Sequence, residues 1–287
     1  MTTAIEQVQY ESGLRFRYAV IAFCAALFIV ASQLMQLSGT HAPVNELTLD
    51  LIAANQRATI DVIGAAFDMV GLVAVGVLLY WLHQIASARR PELKALVRWI
   101  AAVGAGLSAV MAIAYTIVVA NKAHQFVTTG NQGYPEAHHL TGSGFVVVLP
   151  LLLELGTLLL AIGCIWTSLS AMRVGLITRM VGYAGVVAGA LFLFPIGGLV
   201  PVVQGFWFAA LAVTLARRWP SGDPPAWASG VAVPWAPIQS TQSQQSRERP
   251  ARGQRRRVSD KDVLQAVESR ETPPNPKAGR SKRKRRR

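Results

Sequence analysis

The 287 residues carry 52% hydrophobic side chains and a positive mean hydropathy of +0.35, with a formal net charge of +13. Several apolar runs are longer than any soluble core needs, so the composition argues against one or two soluble domains and for a multi-pass membrane protein. The charge looks like that of a nucleic-acid binder until it is divided along the chain: residues 1–216 hold 10 Lys+Arg and 9 Asp+Glu, whereas residues 217–287 hold 18 and 6. The two cysteines, Cys24 and Cys164, both fall inside apolar runs, which favours packing roles over a disulfide framework or a zinc site.

Residues 1–17 read as a cytoplasmic N-terminus, polar up to Gly13, with Arg15 and Arg17 directly before the apolar run Tyr18–Leu37. No small-residue cleavage site follows at the usual distance, so this run is expected to be a retained first span. Ser38–Thr59 reads as a polar loop with a weakly amphipathic stretch at Leu47–Ala54 lying along the surface. The second span, about Ile60–Leu82, places Asp61, Gly64, Asp68 and Gly71 on one helical face at offsets 0, 3, 7 and 10. Small residues allow close helix approach, and a carboxylate beside them is then shielded from lipid. Tyr80, Trp81 and His83 close this span as an interfacial belt.

Trp99–Ala120 forms the third span, with Gly104, Ser108 and Tyr115 on one face. The loop Asn121–Ser143 gathers His124, Glu136, His138 and His139, whose spacing matches no zinc pattern and which sit on no predicted helix, so they read as solvated loop residues. The fourth span, Gly144–Ser168, carries one charge in 25 residues, Glu154, and repeats the offsets 0, 3, 7 and 10 at Glu154, Thr157, Ala161 and Cys164. That length suits a hydrocarbon core of about 30 Å. Pro150 lacks the N–H that would reach the Val146 carbonyl and predicts a kink one turn before Glu154. A carboxylate at such a depth costs about 2.5–3.5 kcal/mol on insertion scales, so it should face protein or water.

Met180–Ala216 is too long for one span and is broken by PIGGLVP at Pro195–Pro201, which predicts a tight turn between two short helices. Gly182, Gly185 and Gly189 give the fifth span a small-xxx-small packing face. With six spans over residues 18–216, one side receives Arg15, Arg17, Arg89, Arg90, Lys94, Arg98, Arg173, Arg179, Arg217 and Arg218, and the other only Arg57 and Lys122. The positive-inside rule then makes both termini cytoplasmic. The fold expected is all-α, a six-span transmembrane bundle with a disordered basic C-terminal tail.

Residues 217–237 form a Trp/Pro-rich juxtamembrane segment, in which Trp219, Trp227 and Trp235 stand among prolines. It reads equally as an interfacial stretch and as a plain linker. Residues 238–287 are Gln/Ser-rich and then basic, with a short helix at Ser259–Arg270 capped by Ser259. Two basic blocks, Arg255–Arg256–Arg257 and Lys282–Arg283–Lys284–Arg285–Arg286–Arg287, carry no aromatic residue. Such blocks attract anionic lipid headgroups, and also RNA or a ribosomal surface, without sequence preference. Attachment to a bundle favours lipid.

Six spans combined with an Arg-Arg-Trp-Pro exit at Arg217–Pro220, PPAW at Pro224–Trp227 and AVPW at Ala232–Trp235 resemble a group of bacterial integral membrane proteins of the domain-of-unknown-function type. The resemblance extends to about Pro237, implies a bacterial cytoplasmic (inner) membrane, and carries no catalytic residue or cofactor.

Two functions compete. A membrane-anchored scaffold or interaction protein uses the bundle to position the basic tail. A proton- or cation-coupled small-solute carrier instead uses Asp68 and Glu154, which lie about 12–15 Å below the outer ends of their spans by helical rise. These two carboxylates are expected to share one polar cavity with Asp61, Ser108, Tyr115, Thr157 and Gln204. A carrier with so few short spans and no internal repeat would need to assemble as a homo-oligomer. No Ser/His or His/Glu pair shares an intramembrane helix face, so no enzyme is expected.

Overall fold

The computed structural model describes residues 4–38, 46–129, 131–142, 144–193, 200–220 and 222–234, and every regular element among them is a helix. In chain order these are α1 (Ala4–Leu37), α2 (Leu47–Arg89), α3 (Leu96–Thr128), α4 (Tyr134–Thr141), α5 (Phe145–Arg173), α6 (Arg179–Leu191), α7 (Val200–Leu215) and α8 (Ala226–Ser229). Four of them, α1, α2, α3 and α5, contain stretches long and apolar enough to cross a membrane.

The pattern of burial is that of a bundle surrounded by hydrocarbon. On α1, Glu11, Arg15, Ala19, Ala22, Ala26 and Ile29 recur at three- and four-residue spacing and are buried, while Phe16, Val20, Phe23 and Leu27 on the other side are exposed. The same apolar exterior continues with Val70, Val73 and Val77 on α2, Val103 and Val110 on α3, and Leu151, Leu155 and Ile162 on α5. A water-soluble protein does not expose apolar surface this continuously, whereas lipid tails cover it without cost.

The interior is held together by close backbone approach. A methyl group at Gly104 of α3 would fall on the backbone of Leu159 and Leu160 of α5, one at Gly163 of α5 on Ala101, and one at Gly156 on Ser108. Without a hydrophobic drive between helices in lipid, contact of this kind supplies the packing energy. The small face foreseen on the fifth span also packs: Gly182, Gly185 and Gly189 of α6 meet Met172, Ser168 and Ile165 of α5. Cys164, fully buried, points its thiol at the Gly185 carbonyl at 3.6 Å.

Helices α6 and α7 run antiparallel. The indole N–H of Trp207 donates to the Val181 carbonyl at 2.9 Å, and the C-terminal turn of α7 returns to the end of the bundle where α6 begins. At 13 and 16 residues they rise about 20 and 24 Å. Each is shorter than the four long helices, as expected of two short helices in this region, so four helices rather than six are of span length. The turn expected at Pro195–Pro201 lies mostly outside the described residues.

Three further expectations are corrected. Residues 4–13 are not a separate polar lead but the first turns of α1. Within the expected loop Ser38–Thr59, residues from Leu47 onward belong to α2, a continuous helix of 43 residues. The amphipathic stretch there buries its apolar side in protein rather than on a membrane surface: Leu51 joins Ala123, Phe126, Ala137 and Leu140 in a small second core, with Leu47 and Ile52 against it. Finally, Asn121–Ser143 is not one loop, because α3 continues to Thr128 and His138 and His139 lie on α4. We refer to the end carrying this second core as the far end, and to the opposite one, where α1 starts and α7 finishes, as the near end.

Candidate functional site

At the near end the chain leaves α7 and folds back under the bundle. Arg217 adopts φ 60°, turning the chain, and Asp223 is thereby brought to Arg15 of α1. The Arg15 guanidinium donates to both carboxylate oxygens of Asp223 at 3.0 and 3.2 Å and to the Thr214 carbonyl at 3.1 Å. One turn earlier on α1, Glu11 accepts two bonds from Arg89 of α2, at 2.6 and 2.8 Å, and both side chains are almost wholly enclosed, at 2% and 0% exposure. Arg89 also donates to the Ala226 carbonyl at 3.1 Å. Two cations thus face two anions, which is how charge is tolerated away from water.

Trp227 sits between these pairs. Its ring lies 4.3 Å from the Arg15 guanidinium carbon and 5.5 Å from that of Arg89, and Trp81, itself stacked on Tyr18 at 3.8 Å, lies 6.1 Å away on another side. The indole N–H donates to the Leu176 carbonyl at 2.8 Å. Backbone bonds fix the strand of chain on either side: Ala226 N–H to the Gly175 carbonyl at 3.4 Å and Val233 N–H to the Val174 carbonyl at 3.1 Å. Gly175 is required twice over, since its φ is +79° and a side chain there would meet the Val233 carbonyl oxygen. The sequence suggested an interfacial stretch or a linker here and placed Arg15 and Arg89 only among the charges of the cytoplasmic side. The structure packs Arg15, the Arg89 side chain and, from this segment, Ala226 and Trp227 into the interior. The missed signal was the pairing of Glu11 and Asp223 with an Arg surplus at the same end.

Toward the far end a polar cleft of about 530 Å³ opens between α1, α2, α3 and α5. Asp61 and Asp68 line one wall from α2, Tyr115 and Thr116 the other from α3, and Leu153 of α5 and Gln36 of α1 contribute at its edges. Alanines at 54, 58, 65, 112 and 120 keep the walls low. Arg57 pairs with Asp61 at 3.2 Å and donates to the Gln36 carbonyl at 2.8 Å, tying α2 to the end of α1. Asp68 lies 12 residues before Tyr80, about 18 Å by helical rise. Tyr80 packs edge-on against the exposed Trp99 at 5.3 Å, whereas Trp81 and His83, expected beside Tyr80 in an interfacial belt, are buried in the bundle.

Of the polar residues proposed to act together, Asp61, Asp68 and Tyr115 are brought to this cleft. Ser108 is instead buried at the α3–α5 crossing against Gly156, and Gln204 is buried on α7 beside Gly205, which meets Val30 of α1. Glu154 is exposed on α5 and does not line the cleft, while Thr157 donates to the Glu154 backbone carbonyl at 2.9 Å. The shared cavity expected for Asp68 and Glu154 is therefore not formed. Equal offsets and depth do not fix the rotation of a helix about its axis, and the Gly156–Gly163 face of α5 sets that rotation by packing on α3. Arg57, Gln36 and Thr116 went unrecognised, Arg57 because it was read as lying in a loop. The basic blocks Arg255–Arg257 and Lys282–Arg287 and the helix at Ser259–Arg270 lie outside the described residues.

Comparison with protein-family models, with curated proteins and with solved structures gives no match. What fold and site define is a class: an all-α protein with four helices long and apolar enough to cross a membrane. The three short motifs that carried the resemblance to bacterial membrane proteins fall in or beside the segment folded under the near end.

Proposed function

We propose that this chain is a membrane-anchored interaction protein, a bacterial inner-membrane bundle that holds the root of a basic tail against the cytoplasmic face. In this reading α6 and α7 cross together as a short fifth and sixth span and both termini are cytoplasmic. The observation that carries it is the seating of Trp227 between Arg15 and Arg89, which ties residues 222–234 to the bundle immediately before a segment holding 16 of the 28 Lys+Arg. A tail rooted there works within reach of the membrane surface, where each Lys or Arg contributes about 1 kcal/mol toward anionic lipid and is screened over about 8 Å at physiological salt. The full chain in phosphatidylcholine nanodiscs is therefore expected to co-sediment with phosphatidylserine vesicles at low salt and to be released as salt rises. A chain truncated after Pro237 should not co-sediment. Equal binding to neutral vesicles, or unchanged binding after truncation, would remove the electrostatic role of the tail.

The polar cleft supports a second reading, a cation-coupled small-solute carrier, since an ionisable side chain at such depth marks a pathway or a ligand site more often than a packing element. Here Asp68 alone, without Glu154, would carry the coupling.

A further inference from the structure

The far-end cleft contains one charge with no counterpart. Arg57 and Asp61 satisfy each other near its mouth, which leaves Asp68. This carboxylate is half-buried on α2, and among the described residues it makes no hydrogen bond and no ion pair. It lines the open space between α2 and α3. An uncompensated carboxylate in a low-dielectric wall is costly, and a cation arriving from outside relieves that cost. With its ionisable groups charged, the cleft sums to minus one.

Size and wall chemistry narrow the partner. A hard metal ion needs about six oxygens converging on one point, whereas the cleft around Asp68 is lined largely by alanine, with Tyr115 contributed from α3. A volume of about 530 Å³ falls in the range of pockets that enclose organic ligands. A carboxylate, an aromatic ring and short apolar side chains are the set that recognises an ammonium or other onium group: one charge to neutralise, a π face for the cation and apolar contact for its substituents. We propose that this cleft binds a small organic monocation, with Asp68 as its counter-ion and Tyr115 as its aromatic contact. The Arg57–Asp61 pair at the mouth then acts as a charge filter, since a second cation entering would meet Arg57. This deepens the carrier reading by naming the ligand class, but it requires binding only, so it stands or falls apart from transport.

Two ions of equal shape and opposite charge test it. Equilibrium binding of tetraphenylphosphonium and of tetraphenylborate is measured on the full chain purified in detergent, alongside Asp68→Asn, Asp68→Glu and Arg57→Gln. The phosphonium is expected to bind saturably, one per chain, and to be displaced by tetraethylammonium but not by sodium, while the borate shows no saturable binding. Asp68→Asn, monodisperse by size exclusion, should weaken phosphonium binding at least about tenfold, as loss of a buried charge partner does. Asp68→Glu should retain most of it. Arg57→Gln should tighten it, because the cleft then carries two negative charges, a change of sign that a misfolded variant cannot mimic. Equal binding of the two ions, displacement by sodium, undiminished binding in Asp68→Asn, or no saturable phosphonium binding to the unaltered protein would each overturn the proposal. Saturable binding without uptake into proteoliposomes would keep it and remove the carrier reading.

Discussion

Replacing Arg89 with methionine is expected to lower the stability of the bundle by about 3–5 kcal/mol, the cost of leaving a buried carboxylate without its partner. Glu11 has 2% of its side chain exposed and accepts both bonds from Arg89. Its only other described side-chain partner is Gln7, at 3.0 Å on the same helix. The size of the effect lies in the orphaned charge rather than in the strength of the pair, so removing both charges should cost much less than the sum of the single changes. The double variant Glu11→Leu, Arg89→Met is therefore expected to recover most of the loss. Thermal unfolding of the four proteins in one detergent measures this as a double-mutant cycle. Additive single effects would mean that the two residues do not form an enclosed pair.

The second large effect is expected at Trp227, where substitution by alanine should cost about 3–5 kcal/mol, as for other buried aromatic truncations. The indole fills a site bounded by Trp81, Arg15 and Arg89 and donates to Leu176. Its loss removes the apolar contact, the cation–π contacts and that hydrogen bond together. Trp219, which is only partly buried against the same core, should be far more tolerant. Trp227→Phe, which keeps a ring but not the N–H, should fall between wild type and alanine. Comparable effects at positions 219 and 227 would argue that the segment meets the membrane surface by general tryptophan affinity instead of a formed site.

Much of the architecture was legible because lipid-facing and core-facing helices are written in composition. The apolar runs marked α1, α2, α3 and α5 directly, and the Gly182–Gly185–Gly189 spacing identified a face that does pack. Helix ends were less legible. A run such as Leu47–Ala54 has enough apolar periodicity for a helix, but only the second core at Phe126 and Leu140 decides that it extends α2 instead of lying on a surface. The cleft was read in part: Asp61 and Asp68 share a face by spacing alone, whereas Glu154 was joined to them by depth, and depth leaves helix rotation free. The near end was least legible of all. Charge counting assigns every arginine beside a span to a side of the membrane and says nothing of its partner, and proline-rich sequence hides regular structure. The bonds of Trp227 and Val233 to Leu176 and Val174 join residues more than fifty positions apart, beyond any local pattern.

The account depends most on residues 222–234 being fixed to the bundle, so that the basic tail starts from a defined place. Hydrogen–deuterium exchange of the full chain in lipid nanodiscs reads this directly, because the amides of Ala226 and Val233 donate to Gly175 and Val174 across the near end. Slow exchange over 222–234, lost in Trp227→Ala while the amides of α2 and α3 stay protected, is the predicted result. Exchange of that segment within seconds in the unaltered protein would contradict it.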